Sequence, residues 1–350
     1  MKICYVLNEI AVEKCGTSTV LMKKSLERGH QVYVMDVGDY RFRSDTPMEI
    51  SCLKLKPSMA DKKSPEEFLE AVQSDKMKRQ ELPVTEMDVM FIRNNPTEEP
   101  AERYWAEQAG VAFGRMVQNL GVLVLNDAYA MSNAFIDKLY FEELPQEIKP
   151  KSMITRDKEQ LLGFWEEMGH KMVLKPLQGS GGQHVYLIDK NQKNLNQIID
   201  TISELGYVIA QEYLPDAKNG DVRVFMMNGR LLREGDHIGA IRRKSGEGEF
   251  RSNFSVGGSA EKGELTEGMQ RIINVTAPKL IRDGLFLVGL DVVGDKLIEI
   301  NVLSPGGLKR FHDLNMPDFT DTVISAIERK VEYKKFYEGL LSNRTLATME

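Results

Sequence analysis

The sequence predicts an α/β protein whose N-terminal third forms a largely parallel sheet. Over residues 1–126, short apolar segments rich in β-branched residues alternate with segments of helical spacing. This alternation is typical of parallel strands that helices cover on both faces. The last third of the chain is richer in strand-like segments, which predicts a second, strand-rich unit.

The predicted elements of residues 1–126 are a strand, a helix and a strand, then a less regular region, and then a further βαβ unit. Lys2–Leu7 is apolar and rich in strand formers, and the helical segment Ser18–Glu27 ends just before Gly29. The remaining strands are Gln31–Asp36, Val89–Ile92 and Val122–Leu125, and the remaining helices are Glu66–Gln73 and Ala101–Asn119.

Beyond residue 126 the predicted elements alternate less regularly. Strands are predicted at Ser152–Thr155, Lys171–Lys175, His184–Leu187, Val208–Gln211, Val222–Met227, Ile238–Arg242, Leu285–Val293 and Lys296–Val302. Helices are predicted at Lys158–Met168, Glu267–Arg282, Asp321–Lys330 and Tyr333–Leu341. The polar run Lys244–Glu249 contains glycines and is predicted to be the most mobile loop.

Composition excludes several classes of protein. With 42% hydrophobic and 28% charged residues, the chain has the make-up of an ordinary globular protein. Its net charge of −6 argues against nucleic acid or an anionic membrane as a partner. Cys4, Cys15 and Cys52 share no zinc-like or redox spacing, and no signal-peptide pattern precedes the first strand. We therefore expect a cytoplasmic protein that acts on small molecules.

A hairpin-like stretch near the C-terminus carries three candidate metal ligands, Asp291, Glu299 and Asn301. Glu299 and Asn301 lie two residues apart and share a face of their strand. A three-residue turn at 294–296 would place Asp291 opposite Glu299, whereas a two-residue turn would place it on the other face. Three oxygen ligands on a rigid strand pair suit Mg²⁺. An amphipathic hairpin with solvated acids explains the same pattern equally well.

A glycine-rich segment follows the apolar strand that ends at Lys175. Gly179, Gly181 and Gly182, with Ser180 among them, let the backbone approach a ligand closely and point N–H groups at an anion. The order of residues differs from the GxxxxGK[ST] loop and from the dinucleotide GxGxxG pattern. An ordinary glycine-rich hairpin is the alternative, but a lysine on an apolar strand needs a partner.

The segment Gln211–Leu214 ends another apolar strand and precedes Pro215. Its backbone N–H and C=O groups can pair with the edge of an adenine ring, while Leu214 packs against the ring face. A plain strand end closed by a proline is an equally good interpretation of this segment taken alone.

Taken in order, these motifs resemble those of the ATP-grasp ligases, and most closely those of the bacterial glutathione synthetases. The resemblance extends over nearly the whole chain. It rests on Lys138, Lys175 with its glycine loop, Gln211–Leu214, Asp221 with Arg223, and Asp291 with Glu299 and Asn301. It implies an ATP-grasp fold preceded by a parallel-sheet domain. We therefore divide the chain into an N-terminal domain (1–126), a small ATP-grasp subdomain (127–210) and a large subdomain (211–350).

The resemblance also implies a chemistry, in which ATP phosphorylates a substrate carboxylate and an amine then attacks the acyl phosphate. It places the ATP phosphates at Lys138, Lys175 and the residues from Gly179 to Gly182. It places the adenine at Gln211, Glu212, Tyr213 and Leu214, with Asp221 beside the nucleotide or the substrate. Asp291, Glu299 and Asn301 are implied to hold Mg²⁺ or Mn²⁺. Arg223 and Arg242, with Arg251 and Asn253 at the end of a lid loop, are implied to act on the reacting groups.

The same resemblance points to a γ-glutamyl dipeptide and an amino acid as substrates and to a homo-oligomer. Arg93 and Ser18 are the implied contacts to the dipeptide, and Ser304 and Gly306 lie near the acceptor. The sequence departs from the family at Asn94–Pro96, at Gly306 and in the lid run. Two alternatives therefore stay open: a related ligase with another carboxylate or amine, and an inactive nucleotide-binding module that serves in regulation.

Overall fold

Three β-sheets organise the chain in the computed structural model, which describes residues 1–74, 77–179, 181–244, 246, 258–337 and 339–350. The first sheet lies within residues 2–125, the second within 152–212 and the third within 221–301. The predicted α/β class is confirmed. The last strand of the second sheet runs past residue 210, and the proposed division into three parts stays a prediction.

The first sheet combines a parallel centre with an antiparallel edge. Its strands β1, β2, β6 and β7 are parallel and lie in the order β2-β1-β6-β7, and β3, β4 and β5 extend the β2 edge. The strands are β1 (Lys2–Leu7), β2 (Gln31–Asp36), β3 (Tyr40–Arg41), β4 (Glu49–Lys54), β5 (Gln80–Pro83), β6 (Val89–Ile92) and β7 (Leu123–Leu125). The helices are α1 (Thr17–Glu27), α2 (Pro65–Ser74) and α3 (Ala109–Asn119).

The strand order of this sheet reverses between β1 and β6. The chain leaves β1 for β2 on one side and returns to β6 on the other. In parallel sheets such a reversal opens a crevice outside the carboxyl ends of the two strands, and ligands bind there. Asn8 and Arg93 follow the two strands directly and therefore lie at the mouth of this crevice.

The helix predicted over Ala101–Asn119 is wrong as a single element. Residues Ala101–Ala106 form a 3-10 helix, and α3 begins only at Ala109. Arg103 has non-helical backbone angles inside the first segment, where its guanidinium binds Glu9 and Glu99. The long-range contact to Glu9 and the local contact to Glu99 outweigh the helical spacing of the sequence.

The second sheet is antiparallel throughout and has the order β10-β9-β11-β8. Its apolar face packs against α6 and α7 through residues such as Leu161 and Ile199, and its other face lines a cleft. The strands are β8 (Ser152–Thr155), β9 (Met172–Pro176), β10 (Tyr186–Ile188) and β11 (Val208–Glu212). The helices of this part are α4 (Ala128–Asn133), α5 (Asp137–Glu142), α6 (Lys158–Glu167) and α7 (Leu195–Glu204).

The third sheet, with the order β17-β16-β12-β18-β19, forms the floor of that cleft. Its strands are β12 (Asp221–Met227), β13 (Arg230–Leu231), β16 (Ala240–Lys244), β17 (Ser259–Lys262), β18 (Leu287–Val293) and β19 (Lys296–Asn301), and β14 (Arg233–Glu234) pairs with β15 (His237–Ile238) separately. The face away from the cleft packs against α8 (Glu267–Arg282).

The C-terminal helices join the third sheet to the N-terminal domain. The two helices predicted between Asp321 and Leu341 are one helix, α10 (Phe319–Phe336), which contacts α1. The shorter helices α9 (Lys309–Asp313) and α11 (Asn343–Thr348) flank it. One apolar cluster runs from Val20 in α1 through Phe225 in β12 to Phe319, so the two parts share a core.

Candidate active site

The cleft between the second and third sheets collects most of the residues that the sequence predicts to bind the nucleotide. It is lined by Lys138, Lys175, Gly179, Gly181, Gly182, Gln211, Glu212, Tyr213, Leu214, Asp221 and Glu299. Strand alternation explains which residues of a strand line the cleft, because Lys175 points into the cleft while its neighbour Leu174 packs in the core. Ser180, Arg251 and Asn253 lie outside the described residues.

Two lysines stand in the roof of the cleft, Lys138 buried and Lys175 half-buried. The Lys138 ammonium donates to the carbonyls of Pro176 (2.7 Å) and Gly179 (3.1 Å) and so ties α5 to the glycine loop. Among the described residues, the Lys175 ammonium has longer contacts, to Gln211 Oε1 (3.3 Å) and the Ile298 carbonyl (3.4 Å). Burial lowers the pKa of Lys175, whereas the Glu299 carboxylate acts in the opposite direction. Two lysines with spare donors beside a glycine loop can bind phosphate oxygens.

The glycine loop requires its glycines. Gly179, Gly181 and Gly182 have φ of 124°, 65° and 75°, in the left-handed region that other residues rarely adopt. A side chain at any of these three positions would therefore strain the backbone of the loop.

The segment Gln211–Leu214 forms one wall of the cleft. The Gln211 side chain is buried, and its Nε2 has no hydrogen-bond partner in the part of the chain that the structure describes. Glu212 accepts a hydrogen bond from the Lys151 amide (3.0 Å), which holds the strand end in place. The Tyr213 ring packs under the Lys171 ammonium, 3.8 Å from the ring centre. An unpaired amide beside Leu214 suits a flat ring with polar edges.

The hairpin at β18 and β19 brings the candidate metal ligands together, but not by the predicted turn. Val293 pairs with Lys296, so the turn has two residues, and this register alone would send Asp291 to the wrong face. A β-bulge at Ile298 then shifts the register by one residue, and Asp291 pairs with Glu299. The expected three-residue turn is wrong, and the bulge produces the same facing pair.

Asp291 belongs to a buried cluster of two acids and two arginines. Arg223 binds both Asp291 oxygens, with Nη2 2.8 Å from Oδ2, and Arg243 Nη2 lies 2.8 Å from the same Oδ2. Arg243 Nε also lies 3.1 Å from each carboxylate oxygen of Asp221. Burial alone would raise the pKa of Asp291, but the two guanidinium groups outweigh it and hold this pKa well below its usual range.

Arg242 does not join this cluster. It pairs with Val222 on β12, whereas Arg243 pairs with Asp221 and Arg223 pairs with Asp291. Because directly opposite residues share a face, Arg242 lies on the opposite face of the sheet from Arg223. The sequence offers two adjacent arginines, and only the register of β16 decides between them. The expectation that Arg242 works beside Arg223 is therefore wrong, and Arg243 holds that position.

The predicted dipeptide residues meet at the crevice between β1 and β6. Arg93 is 4% exposed, its Nε lies 3.4 Å from Ser18 Oγ, and its Nη2 donates to the Pro305 carbonyl (3.0 Å). Ser304 Oγ donates to the Arg93 carbonyl (2.8 Å). Thr17, which directly precedes Ser18, accepts hydrogen bonds at its Oγ1 from the amides of Gly307 and Leu308, both at 3.0 Å.

The segment 304–308 links this crevice to the cleft. The Gly306 carbonyl accepts a hydrogen bond from Arg223 Nη1 (2.9 Å), while the Pro305 carbonyl accepts the one from Arg93. One arginine from each side thus holds neighbouring peptide groups. Ligands bound at the two sites would meet across this segment.

The candidate metal ligands fit Mg²⁺ in kind. Among the described residues, Glu299 has neither a hydrogen bond nor an ion pair, and Asn301 uses only its Nδ2, 3.4 Å from Asp291 Oδ2. Asp291 Oδ1 accepts one hydrogen bond and keeps a lone pair. Mg²⁺ needs one or two carboxylates and takes water and phosphate at its other positions. Within the described ranges no set of three or more His, Cys, Asp and Glu side chains forms a metal site by itself.

Asp137 was missed by sequence reasoning, although it directly precedes Lys138. Burial and the nearby Glu299 carboxylate raise the pKa of Asp137 to about 7, against the opposing effect of Lys138. The sequence feature that could have identified Asp137 is its position beside a predicted phosphate-binding lysine.

None of the helices in the described part of the chain has the length and apolar character that a membrane span requires.

Comparison with known proteins gives the family. The N-terminal domain model of prokaryotic glutathione synthetase matches residues 1–131, and the ATP-grasp domain model of the same family matches residues 137–316. The glutathione synthetase of Vibrio parahaemolyticus is 30% identical over 331 residues, covering 93% of this chain and 96% of the relative. That of Gloeobacter violaceus is 31% identical over 346 residues, covering 96% and 98%.

A solved structure of the ATP-grasp ligase PsnB, complexed with a phosphomimetic variant of its minimal precursor, Mg and ADP, superposes with a TM-score of 0.57. It is 18% identical and covers 92% of this chain and 97% of PsnB, so the predicted ATP-grasp fold is confirmed. With both domain models matched across most of its length, the chain belongs to the prokaryotic glutathione synthetase family of ATP-dependent, C–N bond-forming ligases.

Proposed function

We propose that this ligase joins γ-glutamylcysteine to glycine and converts ATP to ADP and phosphate, which makes it a glutathione synthetase. One observation carries the proposal beyond the family match. The crevice that contains Arg93 and the cleft that contains Glu299 are connected by the segment 304–308, which each side contacts through one arginine. A dipeptide in the crevice would reach the cleft with its free cysteinyl carboxylate.

In the first step, the substrate carboxylate attacks the γ-phosphorus of ATP, and ADP leaves. Lys138 and Lys175 bind the phosphates, and the glycine loop covers them through its backbone. Gln211 to Leu214 hold the adenine, with the unpaired Gln211 Nε2 as one available donor. Such a step depends on positioning and charge neutralisation more than on a nucleophilic side chain.

Asp291, Glu299 and Asn301 would hold Mg²⁺ or Mn²⁺, which supplies neutralisation of the phosphate charge during transfer. Glu299 forms no ion pair among the described residues, so its carboxylate is available to a metal ion. Arg223 and Arg243 hold Asp291 ionised, since they lower its pKa.

In the second step, the glycine amine attacks the acyl carbon, and phosphate leaves as the amide forms. Arg223 bridges Asp291 and the Gly306 carbonyl, and a planar guanidinium there can stabilise the acyl phosphate and the oxyanion. Arg251 and Asn253 stay predictions from the family resemblance, as part of a lid that excludes water from the acyl phosphate.

The test is ADP release with ATP, Mg²⁺ and γ-glutamylcysteine, measured with and without glycine, and a product mass. Glycine-dependent ADP together with the mass of glutathione would support the proposal. Glu299→Gln should lower the rate by at least about 100-fold, because it removes the unpaired carboxylate of the metal site. Glu332→Gln, an exposed glutamate on α10, is the matched control and should keep the wild-type rate.

A second candidate keeps the chemistry but uses a larger amine. Gly306 is exposed, and a Cβ built on it would contact no atom within 4 Å. The space beside the Arg223 contact can therefore accommodate an acceptor that has a side chain. Measuring kcat/KM for ADP release with glycine, alanine, serine and β-alanine distinguishes the two candidates. The highest value with glycine favours the first candidate, and the highest value with one of the other amines favours the second.

A further inference from the structure

A groove between α3 and α5 lies apart from both sites of the proposed reaction. It contains a cavity of about 420 Å³, compared with about 150 Å³ in the nucleotide cleft. Among the described residues, the groove and the cleft have no lining residue in common, and neither Arg93 nor the segment 304–308 lines the groove. Binding sites for small molecules have cavities of about 300–1,000 Å³ with largely apolar walls and a few polar groups. The groove therefore has the size of a small-molecule site that the proposed reaction does not use.

The walls of the groove offer apolar surface from two directions. Val111 of α3 forms one side, and Phe135 and Ile136, which precede α5, form the other together with Leu139. The Leu139 side chain is 42% exposed, although α5 packs against β19. A ligand that covers such surface in a concave site releases it from water, which favours binding of an apolar group. The groove thus suits a ligand with an apolar body.

Arg115 supplies the charge of the groove. In the described part of the chain it is the one ionisable residue of the lining, to which Gln108 and Asn133 add two amide groups. The guanidinium carbon lies 4.9 Å from the centre of the Tyr129 ring, and the Tyr129 hydroxyl accepts a hydrogen bond from Asn119 Nδ2 (2.8 Å). Arg115 forms no hydrogen bond or ion pair with any described residue. A guanidinium can bind two oxygens of a carboxylate, phosphate or sulfonate at once. The ring contact therefore positions a cation whose donors are available to an anion.

The helix α5 connects the groove to the nucleotide cleft. Leu139 lines the groove, whereas its neighbour Lys138 lines the cleft and donates to the carbonyls of Pro176 and Gly179. A ligand packed against Leu139 would hold α5 in place and would hold Lys138 with it. Fixing a binding group in advance reduces the ordering cost of the next ligand. Occupation of the groove should therefore favour ATP binding.

We propose that this groove is a second ligand site, for a small organic anion with an apolar body, and that its occupation strengthens ATP binding through α5. Arg115 binds the anionic group, and Phe135, Ile136 and Leu139 cover the apolar body. The charge of the lining selects the class of ligand, because one cation stands among apolar and amide groups. The identity of the carboxylate and amine substrates does not enter the proposal.

The probe for this site is 8-anilinonaphthalene-1-sulfonate, which has aromatic rings and one sulfonate and fluoresces in apolar surroundings. It is titrated into the full chain with saturating ATP and Mg²⁺, so that the nucleotide cleft is filled. Arg115→Met should weaken probe binding by about 10-fold or more, as expected for hydrogen bonds to a charged group, and Leu139→Ser should weaken it as well. Arg329→Met, which removes an exposed arginine from α10, is the matched control and should keep the wild-type affinity.

The coupling to ATP is measured by equilibrium dialysis with Mg²⁺ and without the other substrates. Saturating probe should lower the Kd of ATP by about 5-fold or more in the wild type and in Arg329→Met, and should leave it unchanged in Arg115→Met. Urea unfolding at the wild-type midpoint shows that Arg115→Met is folded, since Arg115 is exposed.

Four results would overturn the proposal. The wild type shows no saturable probe binding when ATP is present, or Arg115→Met binds the probe as tightly as the wild type. The probe leaves the Kd of ATP unchanged or raises it. Sedimentation at rising protein concentration shows self-association that the probe and Arg115→Met both abolish, in which case a second copy of the chain occupies the groove.

Discussion

Two neighbouring arginines on β16 provide the sharpest test of the site geometry. Arg243→Met removes the side chain that binds Asp221 and Asp291, whereas Arg242→Met removes one that faces the other side of the sheet. The two variants make the same replacement, arginine by methionine, at adjacent positions of one strand. Any difference between them reports the environment of each side chain.

The structure sets the size of that difference. Breaking a buried ion pair by removing one partner costs about 3–5 kcal/mol, and Arg243 is 5% exposed. Arg242 is half-buried and pairs across the strands with Glu261, so its loss should cost at most about 1 kcal/mol. A difference of at least about 2 kcal/mol is therefore expected. With about 3 kcal/mol per molar urea, it corresponds to a midpoint shift of roughly 0.7 M.

The assays are urea unfolding followed by fluorescence, and ADP release under conditions in which both variants are folded. Arg243→Met should lower kcat by about 100-fold, since it removes a charge that holds Asp291 in place, and Arg242→Met should stay within about 3-fold of wild type. Arg243→Lys keeps the charge but not the bridging geometry, and should recover part of the stability and little of the rate. Equal losses in both variants, or a greater loss in Arg242→Met, would refute the assignment of faces.

Two further predictions concern residues outside the cleft. Burial lowers the pKa of Lys330 to about 7, so between about pH 7 and 10 the unfolded chain binds a proton that the folded chain lacks. The free energy of unfolding should then rise with pH by up to about 1.4 kcal/mol per unit, and urea unfolding of Lys330→Met should lose this rise. Thr17→Val removes the acceptor for Gly307 and should raise the KM for the dipeptide several-fold while the KM for ATP holds. Thr17→Ser keeps the hydroxyl and should restore the wild-type KM for the dipeptide. An equal change in the KM for the dipeptide and the KM for ATP would contradict a role of Thr17 confined to the crevice.

The sequence was most informative where burial leaves little choice. β1, β2 and β6 have the predicted bounds, because strands covered on both faces are continuous apolar runs whose ends are easy to see. Edge strands are harder. β5 pairs only with β4 among the described strands; it contains Glu81 and Pro83 and lies in the less regular region, since an edge strand tolerates polar residues and proline.

Register was the information that the sequence could not supply. The separation of Asp291 and Glu299 along the chain fits two turn lengths, and the observed answer is a short turn corrected by a bulge at Ile298. The choice between Arg242 and Arg243 depends on how β16 pairs with β12. Both are properties of strand pairs, and a shift of one residue reverses every side chain. The order of the motifs in the sequence identified the segments that line the cleft, but the register between paired strands decides which side chains meet there.

The contacts of the segment 304–308 suggest how the two halves of the reaction are coordinated. Arg93 holds one of its carbonyls and Arg223 holds the next, while Arg223 also binds Asp291. A dipeptide carboxylate bound to Arg93 would use donors that the Pro305 contact leaves spare, since a guanidinium has five N–H groups. A ligand that draws the guanidinium toward itself would also pull on the Pro305 carbonyl, and the Gly306 carbonyl belongs to the next peptide group. The orientation of Arg223 toward Asp291 would then depend on whether the crevice is filled, which ties the metal site to the presence of the substrate.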